Sequence, residues 1–327
     1  MTSKARVARF AVAGGPEVLK LETMDIADPG PGEVQVRQTA IGLNFQEVYQ
    51  RSGFYPMPLP SGVGNEAAGV VVKSGPGVSG FNPGERVCYA GGGPGAYADL
   101  RNVVADRLIK TPDDISDELA AACMLKGMTV EYLLNRCYPV KAGQPVLFYA
   151  ASGGIGLLAG QWGKHLGARM IGVAGGADKC KLALANGYDV VIDRNKEDIV
   201  ARVKELTSGA GVPVAFDSVG KSTFETTLNC LSPRGMFVSF GTTTGAPPAV
   251  EAGLLQKMGS LYFTRPTLVT YTASRADLEA SAAAVFAMLA KGALKVSINA
   301  RYPLAEAARA HADLEGGRTT GSSILVP

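Results

Sequence analysis

The stretch Phe148-Tyr149-Ala150-Ala151-Ser152-Gly153-Gly154-Ile155-Gly156, followed by Leu157-Leu158-Ala159, constrains this chain more than any other. An apolar run drops into small residues and glycines and then resumes, the pattern of a strand, a sharp turn and a helix. Such a unit has to bury itself against others of its kind, and the sequence after it supplies them. Strand candidates run from Val146 to Ala150, Met170 to Val173, Val190 to Ile192, Val212 to Phe216, Met236 to Phe240 and Leu261 to Phe263, with helical patterns such as Lys179 to Ala185 and Ile199 to Leu206 between them. That alternation predicts an α/β fold built on a doubly wound parallel sheet with helices on both faces.

The chain up to about Pro112 has a different texture. Glu33-Val34-Gln35-Val36-Arg37 alternates polar and apolar residues, and Val70-Val71-Val72 and Arg86-Val87-Cys88-Tyr89 add further runs. All are cut by Pro/Gly pairs such as Pro29-Gly30-Pro31-Gly32 and Asn82-Pro83-Gly84, which predicts a rolled-up antiparallel β domain. Ser116-Asp117-Glu118 marks a helix start, Met128 to Leu134 continues helical, and a long helix from Ala276 to Ala290 precedes a last strand from Ser323 to Val326. With 327 residues, 46% of them hydrophobic, the chain can fill two cores. The expected division is residues 1–125, completed by 266–327, around a nucleotide-binding domain over 126–265.

Several function classes are disfavoured. The formal charge of +3 is mixed along the chain, with no basic block or arginine–aromatic interleaving, so nucleic acid is not the expected partner. The longest uncharged stretch, Ala142 to Gly163, contains Gln144, Pro145, Ser152 and six glycines, and reads as strand, turn and helix rather than a membrane span. Met1-Thr2-Ser3-Lys4-Ala5-Arg6 is not followed by a secretory h-region. Cys88, Cys123, Cys137, Cys180 and Cys230 are odd in number, widely spaced and without a C-x-x-C pair, as in a reduced cytoplasmic protein.

Two sites are built from a strand, a turn and a helix. As a dinucleotide fingerprint, Ala151-Ser152-Gly153-Gly154-Ile155-Gly156 is G-x-G-x-x-G with alanine first; Gly153 lets backbone approach a pyrophosphate and Gly156 lets the helix pack on the strand. As a nucleophile elbow, Ala150-Ala151-Ser152-Gly153-Gly154 approximates G-x-S-x-G, with Asp217 and His311 completing the hydrolase order. A serine nucleophile needs a base within hydrogen-bond reach. His311 lies in an ordinary helical pattern and His165 about two turns beyond the turn, so the phosphate reading is preferred. An NAD site places a carboxylate at the end of the second strand. Here that end is Val173-Ala174-Gly175-Gly176, with no carboxylate until Asp178; Lys179 opens the next helix and Arg194 follows the third strand, which suits the 2′-phosphate of NADP(H).

Further stretches carry a resemblance: Gly42-Leu43-Asn44-Phe45, Tyr49-Gln50-Arg51-Ser52-Gly53-Phe54-Tyr55-Pro56, Gly64-Asn65-Glu66-Ala67-Ala68-Gly69, Leu125-Lys126-Gly127-Met128-Thr129, Phe216-Asp217-Ser218-Val219-Gly220, Ser239-Phe240-Gly241 and Thr264-Arg265-Pro266. With the order of domains, they make nearly the whole chain resemble the medium-chain dehydrogenase/reductase superfamily, and within it the zeta-crystallin-like quinone oxidoreductases. The resemblance implies a GroES-like catalytic domain, a Rossmann domain and a cleft between them. Zinc alcohol dehydrogenases of the superfamily carry cysteine where this chain has Asn44 and histidine where it has Asn65, and an amide is a poor zinc ligand. No metal site is therefore expected, and the implied reaction is hydride transfer from NADPH to a quinone.

The resemblance also implies roles. Asn44 and Phe45 lie near the nicotinamide and its ribose; Tyr49 and Tyr55 line the acceptor site, with Tyr49 bonding the developing quinolate oxygen. Thr129 and Tyr132 support the cofactor. Ser152, Gly153, Gly154, Ile155 and Gly156 take the pyrophosphate; Gly175, Lys179 and Arg194 take the adenosine phosphate end. Ser218, Phe240, Gly241 and Thr242 face the nicotinamide side, Arg265 the mouth. Arg194 stands where bacterial members carry tyrosine, and Arg318, in a shifted Gly316–Gly321 segment, is assigned to the phosphate end. Glu66 is expected to be a structural carboxylate between the domains. The implied assembly is a homodimer pairing edge strands Leu261 to Phe263. An NADPH-dependent enone or alkenal reductase is the alternative, and a non-catalytic nucleotide- or RNA-binding role a more distant one.

Overall fold

The structure, a computed structural model, describes residues 2–327. The chain divides into two compact units: the first holds residues up to Lys126, 272–286 and 296–327, and the second 127–271 and 287–295.

In the first unit, β1 (Thr2–Phe10) pairs antiparallel with β2 (Lys20–Ala27). A larger sheet contains β3 (Glu33–Gly42), β5 (Glu66–Ser74), β6 (Arg86–Ala90), β7 (Leu100–Val104) and β8 (Ile109–Lys110), with the two-residue β4 (Ser61–Gly62) lying on β1. Helix α1 (Phe45–Arg51) directly follows β3, and α2 (Asp117–Glu131) opens where Ser116 Oγ accepts the Leu119 N–H at 3.2 Å. Val34, Val36 and Ile41 of β3 join Val71, Val87 and Tyr97 in one core, but Gln35, which the alternation assigns to the polar face, is buried as well, its Nε2 donating to the Ala27 carbonyl at 3.2 Å. Each such side chain, once buried, is worth roughly 1.5–3 kcal/mol.

After α2 the helix widens into a π-helical turn over Tyr132–Cys137. The sequence pattern read simply as helix here, because Tyr132 to Leu134 are all buried, and periodicity does not register the extra residue of a π turn. The second unit then runs β9 (Pro145–Tyr149), α3 (Gly154–His165), β10 (Arg169–Ala174), α4 (Ala177–Leu184), β11 (Val190–Asp193), α5 (Ile199–Leu206), β12 (Val212–Asp217), α6 (Phe224–Cys230), β13 (Leu231–Ser239), α7 (Ala252–Lys257) and β14 (Tyr262–Thr264). All six strands are parallel, in the order β11-β10-β9-β12-β13-β14. The order reverses at β9, so β10 and β12 flank it and the turn after β9 opens at the switch point where such sheets bind ligands. Helices α8 (Leu268–Tyr271), α9 (Arg275–Ala290) and α10 (Ala307–Glu315), with β15 (Ile298–Pro303) and β16 (Ser322–Val326), complete the chain; β16 joins the first unit's sheet beside β3.

Two helical glycines separate packing from propensity. A Cβ on Gly160, in α3, would run into the Asn186 carbonyl and the Tyr188 ring, whereas Gly253, in α7, has nothing within 4 Å. Gly160→Ala should cost about 1–3 kcal/mol, and Gly253→Ala should stabilise by up to about 1 kcal/mol. Thermal unfolding midpoints that moved alike in both variants would contradict this packing of α3.

Candidate active site

The second unit's site begins at the turn between β9 and α3. Ala150 adopts φ +53°, in the left-handed region, and its carbonyl accepts the Gly153 N–H at 2.9 Å. A Cβ on Gly156 would overlap that same carbonyl oxygen and lie 2.7 Å from the carbonyl carbon of Ala151, so α3 starts this close to β9 only with glycine there. Gly153 caps α3 without a side-chain bond, leaving the N–H groups of Gly154, Ile155 and Gly156 uncapped at the positive end of the helix, beside the buried Ser152. This backbone cradle fits the diphosphate of a dinucleotide.

It does not fit a nucleophile elbow. The left-handed residue is Ala150, not Ser152. His311 is buried in the first unit with Nε2 3.1 Å from Tyr97 Oη, and burial, with the Arg51 charge, pushes its pKa from 6.5 down to about 3. His165 is exposed at the end of α3.

At the carboxyl end of β10, the Arg194 side chain lies across Gly175: a Cβ there would stand 2.9 Å from Nε. Lys179 occupies the first turn of α4, half-buried. Asp193 is the nearby carboxylate, and its Oδ1 accepts the N–H groups of Gly176 (2.9 Å) and Asn195 (3.1 Å). Those bonds hold its pKa below the usual carboxylate value. Asp193 thus organises the loop, while Arg194 lies against Gly175 and Lys179 follows Asp178 in the first turn of α4.

The ends of β12 and β13 gather a second group. Buried Asp217 accepts from Val219 N (2.6 Å), Gly220 N (3.1 Å), Thr223 Oγ1 (2.6 Å) and Thr227 Oγ1 (2.9 Å), fixing the segment that carries Ser218. Gly241 lies against Ser218, the Phe240 N–H donates to the Asp217 carbonyl at 2.8 Å, and Thr242 follows, buried. Arg265 Nη1 donates to the Ser239 carbonyl at 2.9 Å. Thr129 is buried at the end of α2, and Tyr132 stacks on Tyr271 with ring centroids 4.5 Å apart.

In the first unit, Asn44 caps α1 and the next turns present aromatic rings. Tyr49 meets Phe45 at 5.3 Å, Phe54 at 5.5 Å and Tyr55 at 5.1 Å between centroids, and Phe54 meets Tyr55 at 5.4 Å. Beneath them lies a buried polar cluster. Glu47 Oε2 accepts the Asn44 N–H (2.6 Å) and Oε1 the Asn65 Nδ2 (3.0 Å); Glu66 Oε2 accepts the Asn44 Nδ2 (2.9 Å) and Oε1 the Leu125 N–H (2.6 Å). Lys126 Nζ is 3.8 Å from Glu66 Oε2. Among the described residues no three His, Cys, Asp or Glu side chains gather as metal ligands. Arg318, also in the first unit, is engaged with Asp313 Oδ1 and the Ala312 carbonyl, both at 2.8 Å.

Residues 30–113 match the family model described as alcohol dehydrogenase GroES-like domain, and residues 154–288 that described as zinc-binding dehydrogenase. A quinone oxidoreductase of Pseudomonas aeruginosa is 48% identical over 99% of this chain and 100% of its own length. The chain belongs to the quinone oxidoreductase family. The crystal structure of Escherichia coli quinone oxidoreductase complexed with NADPH superposes with a TM-score of 0.97 at 47% identity, covering 99% of this chain and all of that one. A 2-haloacrylate reductase of a Burkholderia species is 41% identical over 96% of both chains. No helix among the described residues is long and apolar enough to cross a membrane.

The sequence alone does not mark Glu47, Lys126, Phe54, Asp193 or Tyr271 as site residues. Glu47 and Lys126 look like ordinary helical surface charges until the fold buries them, and Phe54 gains meaning only from the rings around it. Burial, reinforced by the neighbouring Glu66 charge, lifts the Glu47 carboxyl from 4.5 to about 7. A raised value in the folded chain means stability is fully present below pH 4.5 and is lost as pH rises to about 7. Between about pH 5 and about pH 8, Glu47→Gln should gain about 3 kcal/mol on the parent chain. Thermal melts across that range that run parallel would contradict the burial of an ionisable Glu47.

Proposed function

We propose that the protein is an NADPH-dependent quinone reductase that moves hydride directly from cofactor to acceptor without zinc. The observation that carries this reading is the end of β10: Arg194 lies across Gly175, Lys179 lies in the first turn of the helix that follows, and Asp193 is engaged by backbone N–H groups. Arg194 and Lys179 suit a ribose 2′-phosphate, to which charge-assisted hydrogen bonds are strong. When bound, NADPH supplies the hydride; the chain binds, orients and excludes water.

In the second unit, Ser152 to Gly156 hold the diphosphate, and Ser218, Phe240, Gly241 and Thr242 hold the nicotinamide side, with Thr129 and Tyr132 in support. Arg265 favours an anionic product. In the first unit, Tyr49 and Tyr55, joined by Phe54, offer aromatic faces to a planar acceptor, and the Tyr49 hydroxyl donates to the oxygen on which charge develops. Asn44 and Asn65 are bound to Glu66 and Glu47, and amides are poor zinc ligands. An electron-poor quinone accepts hydride without a Lewis acid. The 2-haloacrylate reductase supports a second reading, in which hydride adds to a conjugated carbon–carbon double bond. The same reading assigns the cytoplasm and a homodimer formed through the sheet edge β14, where Tyr262 is 59% exposed.

Oxidation of NADPH and of NADH by a small naphthoquinone, with a metal chelator present, tests the reading. Turnover should be resistant to chelator and selective for NADPH. Replacing Lys179 and Arg194 together by serine should remove about ten- to hundredfold of that selectivity while leaving NADH turnover unchanged. Equal use of both cofactors by the parent chain would contradict the assignment of Lys179 and Arg194.

A further inference from the structure

Three charged side chains lie buried beneath the start of α1: Glu47 and Glu66 are fully enclosed, and Lys126 is 5% exposed. Among the described residues Lys126 Nζ has no acceptor within hydrogen-bond distance, and it lies 3.8 Å from Glu66 Oε2. Buried ion pairs of this kind often stabilise no better than apolar residues of the same size, so the fold alone does not account for them.

What the cluster holds is Asn44. Glu47 accepts its backbone N–H and Glu66 accepts its side-chain Nδ2. The second bond fixes the amide's polarity. Turned over, Asn44 would set Oδ1 against the Glu66 carboxylate, two acceptors with no donor between them, in a site closed to water. Nδ2 therefore faces Glu66, and Oδ1, which the capping box turns towards the Glu47 backbone N–H, keeps a second lone pair for a ligand. This holds only while Glu66 is ionised. Burial raises its pKa, and the nearby Lys126 charge opposes that rise. A protonated Glu66 could donate to Asn44 and allow the opposite orientation.

We propose that Glu66 and Lys126 are positioning residues that lock Asn44 as a hydrogen-bond acceptor for a donor on the nicotinamide riboside end of the cofactor, a ribose hydroxyl or the carboxamide N–H. The inference rests on the reading of the protein as NADPH-dependent. Asn44 makes the contact, and Glu66 and Lys126 act through it.

The test uses the full chain with Glu66→Gln, Lys126→Met, the two combined, and the swap of Asn44→Asp with Glu66→Gln. NADPH binding is followed by its fluorescence without acceptor, and turnover is measured separately with a naphthoquinone. Glu66→Gln should weaken NADPH binding about threefold or more and lower kcat about tenfold, with KM for the quinone little changed. The swap restores one donor facing one acceptor, with a second oxygen outward, and should recover part of the binding. A merely structural role would predict no such recovery. Lys126→Met should behave like Glu66→Gln; where the single change leaves Glu66 unbalanced and the chain unfolded, the Lys126→Met/Glu66→Gln pair decides. Reduced 3-acetylpyridine adenine dinucleotide phosphate lacks the amide N–H: a Glu66→Gln penalty confined to NADPH identifies the carboxamide as donor, and an equal penalty on both identifies the ribose. Folded Glu66→Gln protein that binds NADPH and turns over within twofold of the parent overturns the proposal. A parent chain that binds NADPH but reduces no quinone contradicts the proposed function instead, and the binding series still decides the role of Glu66.

Discussion

The approach of Gly156 to the Ala150 carbonyl is the constraint on which the second unit depends. Because no side chain separates them, α3 starts directly on the end of β9, and Ala150 takes a left-handed conformation to make the bend. The helix then directs its uncapped N–H groups at the switch point of a six-stranded parallel sheet. Several residues proposed to hold the cofactor in that unit follow strand ends, Gly175 after β10, Arg194 after β11, Ser218 after β12 and Phe240 to Thr242 after β13, while Lys179 stands in α4 and Thr129 and Tyr132 on α2 and the π turn. An added methyl at Gly156 would lift the helix away and loosen the cradle.

The first unit works by a different physical device. Its proposed acceptor surface is a group of rings on and just after a short helix, and a helix of seven residues has little stability of its own. Two buried carboxylates hold the start of that helix through Asn44, whose capping box with Glu47 closes the first turn. The cation that balances them comes from α2. Buried charge here serves geometry rather than net stability. It also links the local structure to pH, since the Glu47 carboxyl is enclosed and lifted into the neutral range.

Much of this was legible in the residues. The parallel strands, the turn at Ser152 to Gly156 and the absence of an acidic strand end after Val173 are local patterns, and local patterns survive in sequence. Asn44 and Asn65 could be read as amides at positions where zinc-dependent relatives carry cysteine and histidine. The partners of those amides could not be read. Glu47 is three residues from Asn44, but Glu66 and Lys126 reach it from another strand and another helix, and their burial is a property of the fold. Asp193 and Asp217 illustrate the same limit: each looks like a free carboxylate in the sequence, and each is engaged by backbone N–H groups in the structure. The π turn at Tyr132–Cys137 left no signal, because one extra residue per turn does not disturb a wholly buried apolar run.

Direct hydride transfer is the centre of the account, and rapid mixing with stereospecifically labelled NADPH tests it most directly. Single-turnover oxidation by a naphthoquinone, with chelator present, should slow when deuterium replaces hydrogen on one face of nicotinamide C4, and should be unaffected by deuterium on the other. Quinone reduction indifferent to the label on either face would contradict direct transfer from an oriented cofactor.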